Sequence, residues 1–225
     1  VGVAVVLTVV PFLAGKLALD AYAHRQAETE LAAMADRFLS RAERVIANSI
    51  SSLRGLADMG ALTCTPENTT AFSDLVGRTG AVSAVVAIDP EGFPMCSVPS
   101  GALERRALLP PVETTGSPVT LAIVRPLDEQ SADSATFPLM IGWTAPSGQR
   151  VAALIDHEAL SIDPGPEYLR PYRAWRIEIG DGGRWVAAGD QALYTVGGGQ
   201  GVPLVVTAKS SVFPLSIDVR VPMDV

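Results

Sequence analysis

The chemistry that this sequence can offer centres on Cys64 and Cys96, the only two cysteines among its 225 residues. Two thiols can form a disulfide, stay reduced as buried apolar side chains, or serve a catalytic or metal-binding role. The sequence has no Cys-x-x-Cys spacing to support thiol-exchange catalysis. The residues alone therefore leave three alternatives open: a disulfide, two buried free thiols, and a reactive or metal-binding pair.

The segments around the cysteines predict where each one lies. Thr65 is placed to cap a short helix from about Pro66 to Arg78, because proline at the first position and an acidic first turn both favour a helix start. The stretches AVSAVVAID, DPEG and FPMCSV then predict a β-hairpin that carries Cys96 in its second strand. A cross-link is geometrically plausible if this helix packs on the hairpin. Closing its loop would stabilise the fold by about 3 to 4 kcal/mol.

A much longer helix precedes these elements. Apolar residues recur at spacings of three and four from about Leu17 to Gly60, which predicts one continuous amphipathic helix. We expect the second half of its apolar stripe to pack on a sheet, whereas the first half could instead form the seam of a homodimer. The stripe comprises Leu31, Met34, Phe38, Ala42, Val45, Ile46, Ser49, Ile50, Leu53 and Leu56.

The first residues, VGVAVVLTVVPFLAGKLAL, are apolar apart from Lys16. A buried core helix and a signal-peptide segment are alternatives, but good helix formers continue past this stretch, which favours a membrane anchor. Its uninterrupted apolar run of about fifteen residues is shorter than the roughly twenty that span a bilayer. We therefore predict a truncated transmembrane anchor at residues 1–20, a juxtamembrane signalling helix at 21–60 and a sensor domain at 61–225.

Short strands joined by turns fill the rest of the chain. After a long helix, this pattern predicts an α+β fold with a mostly antiparallel sheet and helices on one face. Besides the hairpin, the predicted strands are Val119–Val124, Phe137–Thr144, Val151–Ile155, Trp175–Ile179, Arg184–Ala188, Val202–Lys209 and Leu215–Val221.

Composition and motifs exclude several functions. The formal net charge of -7 opposes binding to a phosphate backbone, so we expect no nucleic-acid partner. No nucleophile elbow or phosphate-binding glycine loop is present, and we assign no catalytic or metal-binding residue and no cofactor to this chain. A pocket for a small anionic ligand is an alternative; its candidate residues are Trp143, Trp175, Trp185, Arg125, Arg170, Arg173 and Arg176.

The order of these features resembles the CSS-motif sensor domain, a family named for a Cys-Ser-Ser sequence after a hairpin turn. The resemblance rests on LTC before the short helix, DPEG, MCSVPSG and, more loosely, VAALIDHEAL. Cys96 and Ser97 match the first two motif positions, whereas Val98 stands where the family has the second serine, and the next hydroxyl is Ser100. This departure weakens any role for that serine and leaves the cysteine pair untouched.

The resemblance implies a function for the whole protein. CSS-motif domains, which are related to Cache and PAS-like sensor folds, lie in the bacterial periplasm between two helices that cross the inner membrane. The second helix leads to a cytoplasmic EAL domain that hydrolyses cyclic di-GMP with Mg²⁺ or Mn²⁺, and that domain is not in this chain. The implied switch is a Cys64–Cys96 disulfide, formed by the periplasmic thiol oxidation system, that holds the phosphodiesterase less active. The competing hypothesis is a Cache-like module that binds a small molecule and uses a purely structural disulfide.

Overall fold

The structure is a computed structural model. It describes residues 2–102, 106–108, 112–113, 117–126, 138–160, 174–180, 184–188 and 203–221. The helices are α1 (Gly2–Asp58), α2 (Pro66–Thr79) and α3 (His157–Leu160). The strands are β1 (Val82–Ile88), β2 (Pro94–Val98), β3 (Arg106–Leu108), β4 (Val112–Glu113), β5 (Val119–Pro126), β6 (Leu139–Thr144), β7 (Arg150–Ile155), β8 (Ala174–Ile179), β9 (Arg184–Ala188), β10 (Leu204–Lys209) and β11 (Leu215–Val221).

Helix α1 carries the predicted apolar stripe, and the stripe packs into the core from Leu31 onward. Residues 12–30 are exposed apart from the partly buried Ala27, as Leu17 with 69% of its surface exposed illustrates. The helix ends where Gly60 adopts a φ of 75°, with Ala61 N–H donating to the Leu56 carbonyl and Gly60 N–H donating to the Ala57 carbonyl. This is the Schellman arrangement, in which a glycine closes the last turn.

Helix α2 forms as its capping residues predict. Thr65 Oγ1 accepts a hydrogen bond from the Asn68 N–H at 3.3 Å, Pro66 occupies the first turn, and Gly80 ends the helix in the left-handed conformation. The helix buries Phe72 completely. Helix α2 therefore has a defined start directly after Cys64.

The predicted hairpin is also present, as β1 and β2. Gly92 N–H donates to the Asp89 carbonyl at 3.1 Å, and the φ of 98° at Gly92 gives the turn the left-handed residue that it needs. The Asp89 side chain adds a second restraint, since its Oδ1 accepts the Phe93 N–H at 2.7 Å. The turn fixes the register in which Cys96 faces Ala87.

The first sheet is seven-stranded, antiparallel and buried on both faces. Its order is β2–β1–β7–β6–β5–β3, and β4 pairs with β5 alongside β3. One face carries residues such as Val85, Ile141 and Ala153 and packs against α1 and α2. The other face forms a separate apolar cluster of Ala84, Val86, Ile88, Ala122, Val124, Met140, Ala152 and Leu154.

The second sheet is four-stranded, in the order β10–β11–β8–β9. Its inward side chains alternate with polar ones, as expected for an antiparallel sheet with one covered face. The covered face packs on the first buried turns of α1, where the ring of Phe38 lies 4.7 Å from that of Trp175. On the opposite face, Arg176 bonds to Asp218 at 3.1 Å.

The predicted α+β class, with a long helix on antiparallel strands, is confirmed. The strands divide into two sheets along α1, because β8 to β11 pair with one another and not with β1 to β7. No helix in the described part of the chain has a stretch both long and apolar enough to cross a membrane. The anchor at residues 1–20 and the boundaries 21–60 and 61–225 stay predictions.

Candidate functional site

The candidate site is a disulfide that joins Cys64 to Cys96. Their Cα atoms lie 5.9 Å apart, within the range that a disulfide spans without moving the backbone. Of the three alternatives that the sequence left open, the structure contains the cross-link. The redox role of this bond stays a prediction.

Cys64 lies in the connection between α1 and α2, defined here as residues 59–65. Ala61 and Leu62 anchor the connection in the core, whereas Cys64 itself is exposed. The Asn68 side chain holds the preceding residue, because its Nδ2 donates to the Thr63 carbonyl at 2.9 Å and to Thr63 Oγ1 at 3.1 Å. The first turn of α2 therefore fixes the backbone on both sides of Cys64.

Cys96 lies in β2, at the edge of the first sheet. Its side chain is half-buried and packs against the same core cluster as α1 and α2. Val98, two residues further along the strand, also packs against that cluster. The residue that departs from the family motif thus fills an apolar position, which a serine would fill less well.

Ser97 points away from the disulfide, because neighbouring residues of a strand face opposite sides. Its hydroxyl donates to the Pro99 carbonyl at 2.9 Å and accepts the Ala102 N–H at 3.3 Å. These bonds shape the loop after β2. Ser97 therefore supports the strand that carries Cys96 and takes no part in the cysteine site.

The disulfide is a covalent link between β2 and the connection 59–65. Among the described strands, β2 pairs with β1 alone, so one of its edges is free. The other end of the bond lies six residues beyond Asp58, the last residue of α1. The bond therefore fastens the edge of the first sheet to the segment that follows α1.

Of the seven tryptophans and arginines proposed for an anionic pocket, the structure describes the side chains of Trp143, Trp175 and Arg176, and these three lie in different places. Trp175 is buried against Phe38, and Arg176 is bonded to Asp218 and Glu178. Arg170 and Arg173 lie outside the described residues, as do the side chains of Arg125 and Trp185. Within the described residues, no group of three or more His, Cys, Asp or Glu side chains is placed to hold a metal ion.

Trp143 instead lines an open cleft of about 810 Å³ between the end of α1 and the β6–β7 turn. The Arg54 guanidinium lies 6.0 Å from the centre of the Trp143 ring, and Arg54 also pairs with Asp58 at 3.7 Å. Sequence reasoning missed Arg54 because its partner on β6 is nearly ninety residues away. The cleft offers a cation beside apolar walls formed by Ala57, Pro118, Ala145 and Pro146.

Comparison with solved structures identifies a similar fold. The chain resembles the crystal structure of the extracellular domain of rpHK1S-Z16, a candidate histidine kinase, with a TM-score of 0.51 and 16% sequence identity. The similarity covers 90% of this chain and 97% of that one. No family model and no curated protein matches the sequence. At this identity, the comparison establishes a shared fold of one long helix and antiparallel sheets.

Proposed function

We propose that this chain is the redox-sensing input domain of a bacterial membrane receptor and that the Cys64–Cys96 disulfide is its sensor. The observation that carries the proposal is the position of the bond, which joins the edge strand β2 to the connection directly after α1. A change in this one bond acts on the end of the helix that packs against both sheets. The similar fold of an extracellular receptor domain supports this role.

Reduction of the bond takes up two electrons and two protons and leaves two thiols. The oxidised form holds β2 and the connection 59–65 together covalently, whereas the reduced form holds them only by β1 pairing and packing. A switch needs two states whose balance the stimulus changes, and loss of a cross-link changes that balance by kilocalories. The response is a change in how the last turns of α1 pack against β6 and β7.

The resemblance to CSS-motif sensors supports a more specific assignment. The domain would lie in the periplasm, anchored in the inner membrane, and the periplasmic thiol oxidation system would close the disulfide. The output would be a cytoplasmic EAL domain that hydrolyses cyclic di-GMP with Mg²⁺ or Mn²⁺, less active when the sensor is oxidised. A homodimer would form along the exposed first part of α1, where Leu17, Leu19 and Tyr22 are each at least two-thirds exposed.

Amide hydrogen exchange of the full chain in oxidised and reduced form tests the sensor proposal. We expect faster exchange on reduction in β2, in the connection 59–65 and in the last turns of α1, because local opening there loses a covalent restraint. Strands β10 and β11 serve as an internal control, since they lie in the other sheet. Faster exchange in β2 without any change in α1 would contradict the proposal, because the signal would not reach the helix.

The assay for the output uses the whole receptor. Cyclic di-GMP hydrolysis should be faster after reduction, and the Cys64→Ser/Cys96→Ser double variant should match the reduced protein in both conditions. A double variant that still responds to reductant would place the redox-sensitive group elsewhere. Absence of hydrolysis in either state would reject the EAL assignment and leave the sensor proposal to the exchange experiment.

A second candidate function is the binding of a small carboxylate, with the disulfide as a structural link. The cleft at Arg54 and Trp143 favours it, because a guanidinium beside an aromatic face and apolar walls suits an anion with an apolar body. The test is a thermal shift with benzoate and phenylacetate, using benzamide as the uncharged comparison.

The matched control for this test is an arginine in a similar ion pair outside the cleft. Arg78 pairs with Asp74 at 3.2 Å on α2, as Arg54 pairs with Asp58 on α1. Arg54→Ala should abolish a stabilisation by carboxylates that Arg78→Ala retains. No stabilisation of the unmodified chain by either acid would dismiss this function.

A further inference from the structure

We infer that thiol–disulfide exchange with this sensor proceeds through Cys64: the mixed disulfide forms on Cys64, and Cys96 is the resolving thiol. This inference rests on the proposed function, since it specifies how a thiol partner opens and closes the same bond. The partner class is a small thiol or a dithiol protein whose reactive sulfur must reach one of the two sulfur atoms.

Access separates the two cysteines. A thiolate attacks a disulfide sulfur along the line of the bond that breaks, so the attacked sulfur needs an open approach. Cys64 is exposed, in a connection whose neighbours Thr63 and Thr65 are exposed as well. Cys96 is half-buried and packs against the core cluster beneath α1 and α2. The open approach therefore leads to Cys64.

The backbone around the cysteines also favours reaction at Cys64. Cys64 directly precedes Thr65, the N-cap of α2, where the positive end of the helix dipole favours a negatively charged sulfur. Cys96 lies in a strand paired with β1, opposite Ala87, and has no helix end in its own element. In the reduced protein, Cys64 is thus the thiol better placed to attack an oxidant. Reduction by the same thiol–disulfide couple follows the same steps in reverse, so the reductant thiolate attacks Cys64 first.

Each step balances. The reductant thiolate attacks Cys64 Sγ; a bond forms between those two sulfurs, the Cys64–Cys96 bond breaks, and its electron pair leaves on Cys96 Sγ, which takes a proton from water. A second reductant thiolate then attacks the reductant sulfur of the mixed disulfide and releases Cys64 as a thiolate. The reductant is oxidised to a disulfide, and the protein gains two electrons.

Trapping the intermediate tests the assignment. The oxidised full chain is treated briefly with 2-mercaptoethanol, an uncharged thiol that avoids bias from the net negative charge of the protein, and is quenched with N-ethylmaleimide. Trypsin separates the cysteines into peptides 55–78 and 79–105. We expect the mercaptoethanol adduct on 55–78 and maleimide on 79–105, with the reverse pattern about ten-fold rarer. Equal or reversed labelling overturns the inference.

Single-cysteine variants provide an independent measurement. Cys64 in Cys96→Ser should react with 2-hydroxyethyl disulfide about ten-fold faster than Cys96 in Cys64→Ser. In urea the two rates should converge, because the folded structure creates the difference; a difference that persists in urea counts against the inference. An adduct on Cys96 would overturn this inference alone. Amide hydrogen exchange in α1 that does not change on reduction would overturn the proposed function alone.

Discussion

Reduction of the disulfide should lower the free energy of unfolding by an amount that the structure sets. The bond joins residues separated by 32 positions. In the chain-entropy model, closing a loop of this size removes about 12 cal/mol/K from the unfolded chain, which is about 3.7 kcal/mol at 25 °C. Because Cys64 is exposed, breaking the bond removes little packing from the folded protein. The loss of stability therefore comes mainly from the greater conformational freedom of the reduced unfolded chain.

The assay is urea unfolding of the full chain, followed by circular dichroism with and without a phosphine reductant. At a slope of about 2 kcal/mol/M, the midpoint should fall by about 1.5 to 2 M on reduction. The Cys64→Ser/Cys96→Ser variant should unfold at the midpoint of the reduced protein and ignore reductant. If the oxidised and reduced chains unfolded within about 0.3 M of each other, the argument from loop closure would be wrong.

Further substitutions test packing and helix capping in the fold. Phe38→Ala empties a fully buried site between α1 and the second sheet and should cost about 3 to 5 kcal/mol in urea unfolding. Val212→Ala is the control: it changes a residue that is 66% exposed in the turn between β10 and β11 and should cost less than about 0.5 kcal/mol. Thr65→Ala removes the N-cap of α2 and should cost about 1 kcal/mol, and a neutral result would show that the cap is dispensable. Gly142→Ala would place a methyl group 2.4 Å from Thr120 Oγ1 and should cost about 1 to 3 kcal/mol. Adding Thr120→Ala should recover most of that loss, and failure to recover it would place the strain elsewhere.

Local signals in the sequence predicted the elements around the disulfide. The spacing of apolar residues in α1, the Thr65–Pro66 start of α2 and the Asp89–Gly92 turn each depend on neighbours within a few residues, and the structure contains all three. Because these elements place Cys64 and Cys96 close together, the cross-link could also be predicted from the sequence.

Long-range pairing was not predictable in the same way. Strand β1 pairs with β7, more than sixty residues later, and nothing in either strand identifies its partner. The division into two sheets follows from such pairings, and so does the contact between Arg54 and Trp143 across α1 and β6. The opposite roles of Ser97 and Val98 likewise depend on which face of β2 packs on the core.

Both sheets pack on α1, which limits how far the chain can be shortened for study. A fragment that starts after Asp58 would uncover the apolar sides of the two sheets at once, since residues from Leu31 to Leu56 form a common wall for both. Such exposed apolar area promotes aggregation. Shortened versions intended for crystallisation or screening should therefore begin no later than the turn before Leu31.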